Sequence, residues 1–323
     1  MVERAEAGPR RISVLASIQS ALARPATWAA LWAVELALAS LPALAWFQWL
    51  RSTIDHHYAP DELFGDLGTV FRFDQRAGIG QLDAASGQIG ALLAVLFMLL
   101  GAFAAGGWLT LFLSSAPERG LRPVLAGGAR FFGRFARVWI LSILLLALAT
   151  WLLRGAPWNR IVLGGVFGVP ATDFEKLETL SSERTVFLLR GAQALMHALL
   201  VALVLVWGDY TRTRLALFDT RSALWAGVES ALFIVMHPLR ALAPMLGIFL
   251  FEVAFLLALG VVSNSIEAGV SELHEVLVLF LLGQLALGWR IVLRGARYHA
   301  AVAVSRAHVR PIAKPDPWRF GRV

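Results

Sequence analysis

Asp55, His56, His57, Asp61 and Glu62 fall within eight consecutive positions of the stretch STIDHHYAPDEL at 52–63. Imidazole with carboxylate is a ligand set for zinc, and the carboxylates alone suit Ca²⁺ or Mg²⁺. The spacing matches no specific motif: there is no helical HExxH and no DxDxDG loop, and adjacent His56 and His57 would point to opposite sides of an extended segment. Pro60 stops a continuous helix through the cluster. Two readings follow. One is a divalent-metal site serving an outer-face hydrolase that uses Asp55 and His57; the other is a hydrated loop whose charges mark a membrane edge.

A second set of polar residues lies inside long apolar runs: Glu35, His197, Glu252 and Gln284. An ionisable group at mid-depth in a bilayer costs at least about 2.5–3.5 kcal/mol on insertion scales, so it calls for a partner or a role. All four are expected at similar depth near the midplane. As a functional site they would carry a proton, a cation or a polar solute, with His197 able to titrate near neutrality. As structural groups they would form interhelical hydrogen bonds, or the carboxylates would pair with arginines such as Arg240 or Arg290. Glu35 precedes Pro42 by seven residues and Glu252 follows Pro244 by eight, so each carboxylate shares a face with a proline that can kink its helix.

The elements that hold these groups follow from composition. The chain has 323 residues, is 58% hydrophobic and 16% charged, and has a mean hydropathy of +0.67, outside the range of ordinary soluble domains. Six runs are long and apolar enough to cross a bilayer as helices: 27–50, 90–112, 136–153, 186–208, 240–262 and 276–296. They lack the period-2 alternation of membrane strands. The expected fold is an all-α polytopic bundle of six transmembrane helices in a single integral membrane domain, followed by a basic cytoplasmic tail at 297–323.

Charge orients the spans. With the N-terminus inside, segments 1–26, 113–135, 209–239 and the chain from about 290, counting junction residues with the nearer side, hold 21 of the 29 Lys and Arg, and the outer loops hold 8. This asymmetry predicts both termini in the cytoplasm. It also explains the sequence pI of 10.8 without nucleic acid, because the basic excess lines one membrane face. Arg outnumbers Lys by 27 to 2, as expected of a GC-rich bacterial genome and hence a bacterial inner membrane. Trp46, Phe47 and Trp49, together with Glu35, make the first span a retained anchor instead of a cleaved signal.

A threefold theme runs along the chain. Each odd-numbered span is preceded by an amphipathic segment: Leu15, Ile18 and Leu22; Leu121 through Arg137; and Leu224, Trp225, Val228, Leu232 and Val235. Pro25 and Pro238 mark where the first and third turn into a span, and Gly127, Gly128 and Gly133 are the expected joints of the second. Such helices would lie at the cytoplasmic interface as anchors. Alternatively, Arg130, Arg134, Arg137, Arg212, Arg214 and Arg221 form a collar toward anionic lipid or a partner. Gly101 with Ala105, Ala102 with Gly106, and Gly283 with Ala286 are small-residue pairs suited to close helix contact.

The run Gly208-Asp209-Tyr210-Thr211-Arg212-Thr213-Arg214, followed by Asp219-Thr220-Arg221-Ser222-Ala223 and by His237-Pro238, resembles bacterial multi-helix membrane proteins of unassigned function. These are similar in plan to the membrane domain that accompanies some glycerophosphodiester phosphodiesterases. The resemblance covers about 205–260 and implies a helical membrane module; the phosphodiesterase barrel with its metal ligands has no counterpart here. Asp209 is placed to pair with Arg212 at i+3, and Tyr210 suits the interfacial aromatic belt.

No cysteine, P-loop, GxGxxG or GxSxG is present, so no cofactor is demanded and thiolate chemistry is excluded. The expected function is a non-catalytic membrane module packing with lipid, a partner subunit or further copies of itself. The alternative is a small-solute or ion transporter using Glu35, His197 and Glu252.

Overall fold

Proline sets the starts of two of the long helices. Pro25 and Pro238 stand at the first helical position, where the missing N–H costs nothing and φ is already helical. In the computed structural model, which describes residues 13–54, 75–114, 120–175, 177, 179–180, 182–267 and 273–308, the elements are all helical. They are α1 (Val14–Leu22), α2 (Pro25–Ile54), α3 (Arg76–Leu113), α4 (Arg122–Arg154), α5 (Glu183–Leu217), α6 (Ala223–Met236), α7 (Pro238–Glu267) and α8 (Leu273–His308). Ser182 and Ser222 cap α5 and α6, their Oγ atoms accepting from the amides of Thr185 and Trp225.

Each of the six apolar runs becomes one helix long and apolar enough to cross a membrane. The shortest have 30 residues. At about 1.5 Å per residue that is about 45 Å, well beyond the ~30 Å hydrocarbon layer. Exposure shows which parts face outward. Large exposed apolar side chains run from Val34 to Phe47 on α2, Leu92 to Leu99 on α3, Ile140 to Leu152 on α4, Phe187 to Leu205 on α5, Leu250 to Val262 on α7 and Val276 to Leu285 on α8. Most buried residues lie past these bands, as in Ala102–Phe112 of α3 and Val206–Leu215 of α5.

The described chain packs as two compact units. One comprises 13–17, 131–249 and 297–308, and the other 18–130 and 250–296. In the first, Phe135, Val138, Val206, Tyr210, Leu215, Met245, Ile248 and Val304 are buried together with the hydroxyls of Thr211, Thr213 and Ser230. Those hydroxyls donate to the carbonyls of Trp207, Asp209 and Ala226 one turn back, so their burial leaves no donor unmet. In the second unit Trp108 is fully buried, stacked on Phe112 at 5.6 Å.

Three expectations change. The second amphipathic segment is not a separate helix but the first half of α4, since no proline interrupts the chain between Val124 and Arg154. Gly127 and Gly128 are crossing points, not joints. A Cβ on Gly127 would lie 2.0 Å from Thr110 Oγ1 and 2.7 Å from Gly106 O, so α3 and α4 approach backbone to backbone. The stretch read as a tail from 297 is helical as far as His308, with Ala300, Ala301 and Val304 buried.

Between α4 and α5, a π-helix (Trp158–Val166) and a 3-10 turn (Ala171–Asp173) fold onto their own apolar cluster of Leu153, Trp158, Leu163, Val169, Leu177 and Leu189. Asp173 holds that turn, accepting the Thr179 amide at 2.7 Å.

Candidate intramembrane charge site

α8 carries Arg290 and Arg294 one helical turn apart. In an α-helix residues four apart lie on the same face, so the two guanidiniums form a ladder. Each meets a carboxylate from a different helix of the same unit. Arg290 Nε lies 3.6 Å from Glu252 Oε1 on α7, and Arg294 Nη1 lies 3.7 Å from Glu35 Oε1 on α2. These are ion pairs just beyond hydrogen-bonding distance. The carboxylates are nearly covered, with side-chain exposures of 13% for Glu252 and 12% for Glu35, whereas Arg290 is 61% exposed. Exposed Val34 adjoins Glu35, and exposed Phe251 and Val253 flank Glu252.

An aromatic cluster links the same two helices, α7 and α8, through Trp289, the neighbour of Arg290. Phe251 and Phe255 lie 6.0 and 5.2 Å from Trp289, ring centre to ring centre. Three buried side-chain polar atoms of α8 have no hydrogen-bond partner among the described residues: Gln284 Oε1 and Trp289 Nε1 in this unit, and Ser305 Oγ farther along the helix.

Glu35, Glu252 and Gln284 thus share a unit. His197 belongs to the other, where its Nε2 is 3.1 Å from Thr150 Oγ1, bridging α4 and α5. Gln193, one turn earlier, reinforces that bridge by donating to Leu153 O at 2.6 Å.

A further arginine continues the α8 spacing in the first unit. Arg297 Nε donates to Asp209 Oδ2 at 3.2 Å and its guanidinium lies over the Phe249 ring at 4.6 Å. Arg212 Nη1 takes the other carboxylate oxygen of Asp209 at 3.2 Å, the i, i+3 pair expected from sequence. Arg294 and Arg297 were missed by sequence reasoning although their i, i+4, i+7 spacing with Arg290 was visible; the boundary drawn at 296 split them between span and tail.

Of the six arginines assigned to a collar, Arg134, Arg212 and Arg214 meet named acids. Arg212 holds Asp209, Arg214 pairs with Glu229, and Arg134 donates to Asp219 Oδ1 at 2.6 Å and to Thr220 O at 3.2 Å. Arg130, Arg137 and Arg221 are exposed. Asp55, His56, His57, Asp61 and Glu62 lie outside the described residues; among the described residues no group of three or more His, Asp or Glu is placed to hold a metal ion.

Helical throughout its described elements, with six membrane-length apolar helices and charges paired between them, the chain is an all-α polytopic membrane protein. Comparison with protein-family models, curated proteins and solved structures finds no match.

Proposed function

We propose that this chain is a non-catalytic integral membrane module of the bacterial inner membrane, with both termini in the cytoplasm, that packs with lipid or with a partner subunit. The observation that carries this reading is the α8 ladder: the carboxylates in α2 and α7 each face an arginine of α8. Charges arranged this way tie helices together, since in a low-dielectric layer each carboxylate and guanidinium satisfies the other's demand for a counter-charge. His197 fits the same role, as its ring is held by Thr150 in a different unit from the carboxylates.

One observation favours the alternative, a transporter of ions or small solutes. Gln284 and Trp289 present polar atoms that no protein group satisfies, on the helix that bears the two arginines. A solute or a water chain at that level would supply partners for both.

Proton flux separates the readings. Vesicles enclosing a pH-sensitive dye and containing the protein should leak protons no faster than empty vesicles. Glu35→Gln and Glu252→Gln should lower the melting temperature without altering the leak. A flux above the empty-vesicle level that either variant abolishes would overturn the module in favour of transport.

A further inference from the structure

α6 is two-faced in an unusual sense. One face, Ala223, Ala226, Gly227, Ser230, Phe233 and Ile234, is buried in its unit. Trp207 of α5 donates its indole N–H to Gly227 O at 2.8 Å and lies where a Gly227 side chain would stand, which fixes the helix by its small side. The opposite face is also apolar and lies open: Leu224 is 67% exposed, Val235 75% and Leu239, just past the break, 82%, with Trp225, Val228 and Leu232 between them. The spacing 224, 228, 232 and 235 makes one continuous stripe on α6, and Leu239 is the first exposed apolar residue beyond it.

Polar groups sit where they do not interrupt it. Glu229, the acidic residue of α6, is turned to Arg214, and Asp219 ahead of the helix is held by Arg134. Exposed Arg221 precedes the helix and exposed Arg240 lies in the first turn of α7. The exposed end groups are therefore cationic, while the nearby acids are engaged by other arginines.

We infer that this stripe is a seat on an anionic phospholipid leaflet, with Arg221 and Arg240 reaching lipid phosphates at its two ends. Three facts select lipid as the occupant. With 14 residues α6 is about 21 Å long, too short to cross the layer. One residue, His237, separates it from Pro238 and the membrane-length helix α7, so it cannot leave the bilayer surface. An open apolar stripe flanked by arginines is the pattern of an interfacial helix on acidic lipid. The inference rests on the membrane reading above and replaces a diffuse arginine collar with one helix and two residues.

The chain contains no cysteine, so one introduced thiol gives one labelled site. Val228→Cys and Val235→Cys, with Gln81→Cys on the exposed start of α3 as reference, would carry nitroxide labels in vesicles of phosphatidylcholine with increasing phosphatidylglycerol. Both α6 labels should become shielded from a water-soluble nickel chelate and open to oxygen as phosphatidylglycerol rises, while the reference stays accessible to nickel. Arg221→Gln or Arg240→Gln should each weaken the seating equilibrium about five-fold at a given phosphatidylglycerol fraction, corresponding to the usual worth of one arginine at an anionic surface, and so move the half effect to higher phosphatidylglycerol. Circular dichroism should be unchanged. Labels open to nickel in every vesicle would overturn the seat, as would shielding that persists in detergent together with a dimer mass, which would assign the stripe to a second copy. Proton leakage through the α8 ladder would sink the module reading yet leave these label results intact, so the two failures are distinguishable.

Discussion

Asp209 and Arg297, 88 positions apart, meet at 3.2 Å in a buried pair that joins α5 to the end of α8. Arg212 engages the same carboxylate from the next turn of α5, and the three side chains are 5%, 12% and 12% exposed. One carboxylate therefore answers two covered guanidiniums, and both lose their counter-charge when it is neutralised.

Asp209→Asn should consequently be among the most damaging single changes. Removing one member of a buried charge cluster costs about 3–5 kcal/mol, because the partners remain buried without compensation. Thermal unfolding in detergent should show a fall several times larger than that of Asp219→Asn, whose carboxylate is 51% exposed. Equal effects for the two would show that Asp209 is not structurally special.

The α8 ladder predicts a rescue by exchange. Glu35→Arg places two guanidiniums together beside α8, and Arg294→Glu places two carboxylates there; each alone should lower the melting temperature markedly. The combined Glu35→Arg, Arg294→Glu variant restores opposite charges at the same rung and should recover at least half of the loss. Additive damage in the exchange variant would exclude a direct pair, since independent sites add and coupled ones do not.

His197 and Gln193 should behave as ordinary bridges. Interhelical hydrogen bonds in membranes average about 0.6 kcal/mol, so His197→Gln and Gln193→Leu should each produce only a small drop in melting temperature. A collapse of the fold on either change would mean that the contacts to Thr150 and Leu153 O understate their role.

Much of this architecture was legible because membrane physics writes it in plain terms. The six runs needed only length and hydropathy, and the breaks before α2 and α7 needed only Pro25 and Pro238. Other features were hidden for specific reasons. The continuity of α4 was missed because Gly127, Gly128 and Gly133 were weighed as hinges, when a glycine on a helix can equally mark a neighbour's approach. The depth expected for Glu35 and Glu252 came from their places in the apolar runs 27–50 and 240–262, whereas the pairing of Glu35 with Arg294 was beyond local spacing. The Asp209–Arg212 pair was readable at i, i+3, but Arg297, 88 positions away, was beyond local spacing. The π-helix after α4 had no recognisable signature, since a wide turn is selected by packing more than by composition.

The glycines of α4 provide a contrast within one helix. Gly127 faces α3 so closely that an added methyl would lie 2.0 Å from Thr110 Oγ1 and 2.7 Å from the Gly106 carbonyl. The Thr110 hydroxyl can rotate away, but Thr110 Cβ at 2.6 Å and the Gly106 carbonyl are fixed to the backbone of a packed helix and cannot retreat without separating α3 from α4. Gly133, two turns later, would place its Cβ in open space. Gly127→Ala should therefore destabilise, by about 1–3 kcal/mol as overpacking does. Gly133→Ala should stabilise by about 0.5–1 kcal/mol through helix propensity alone. Thr110→Ser in the Gly127→Ala background should leave most of the loss, because the backbone clash persists. Melting curves for these three variants and the wild type decide the matter: if Gly127→Ala and Gly133→Ala shift the same way, the close crossing of α3 and α4 is wrong, and with it the reason for two consecutive glycines at that point of the chain.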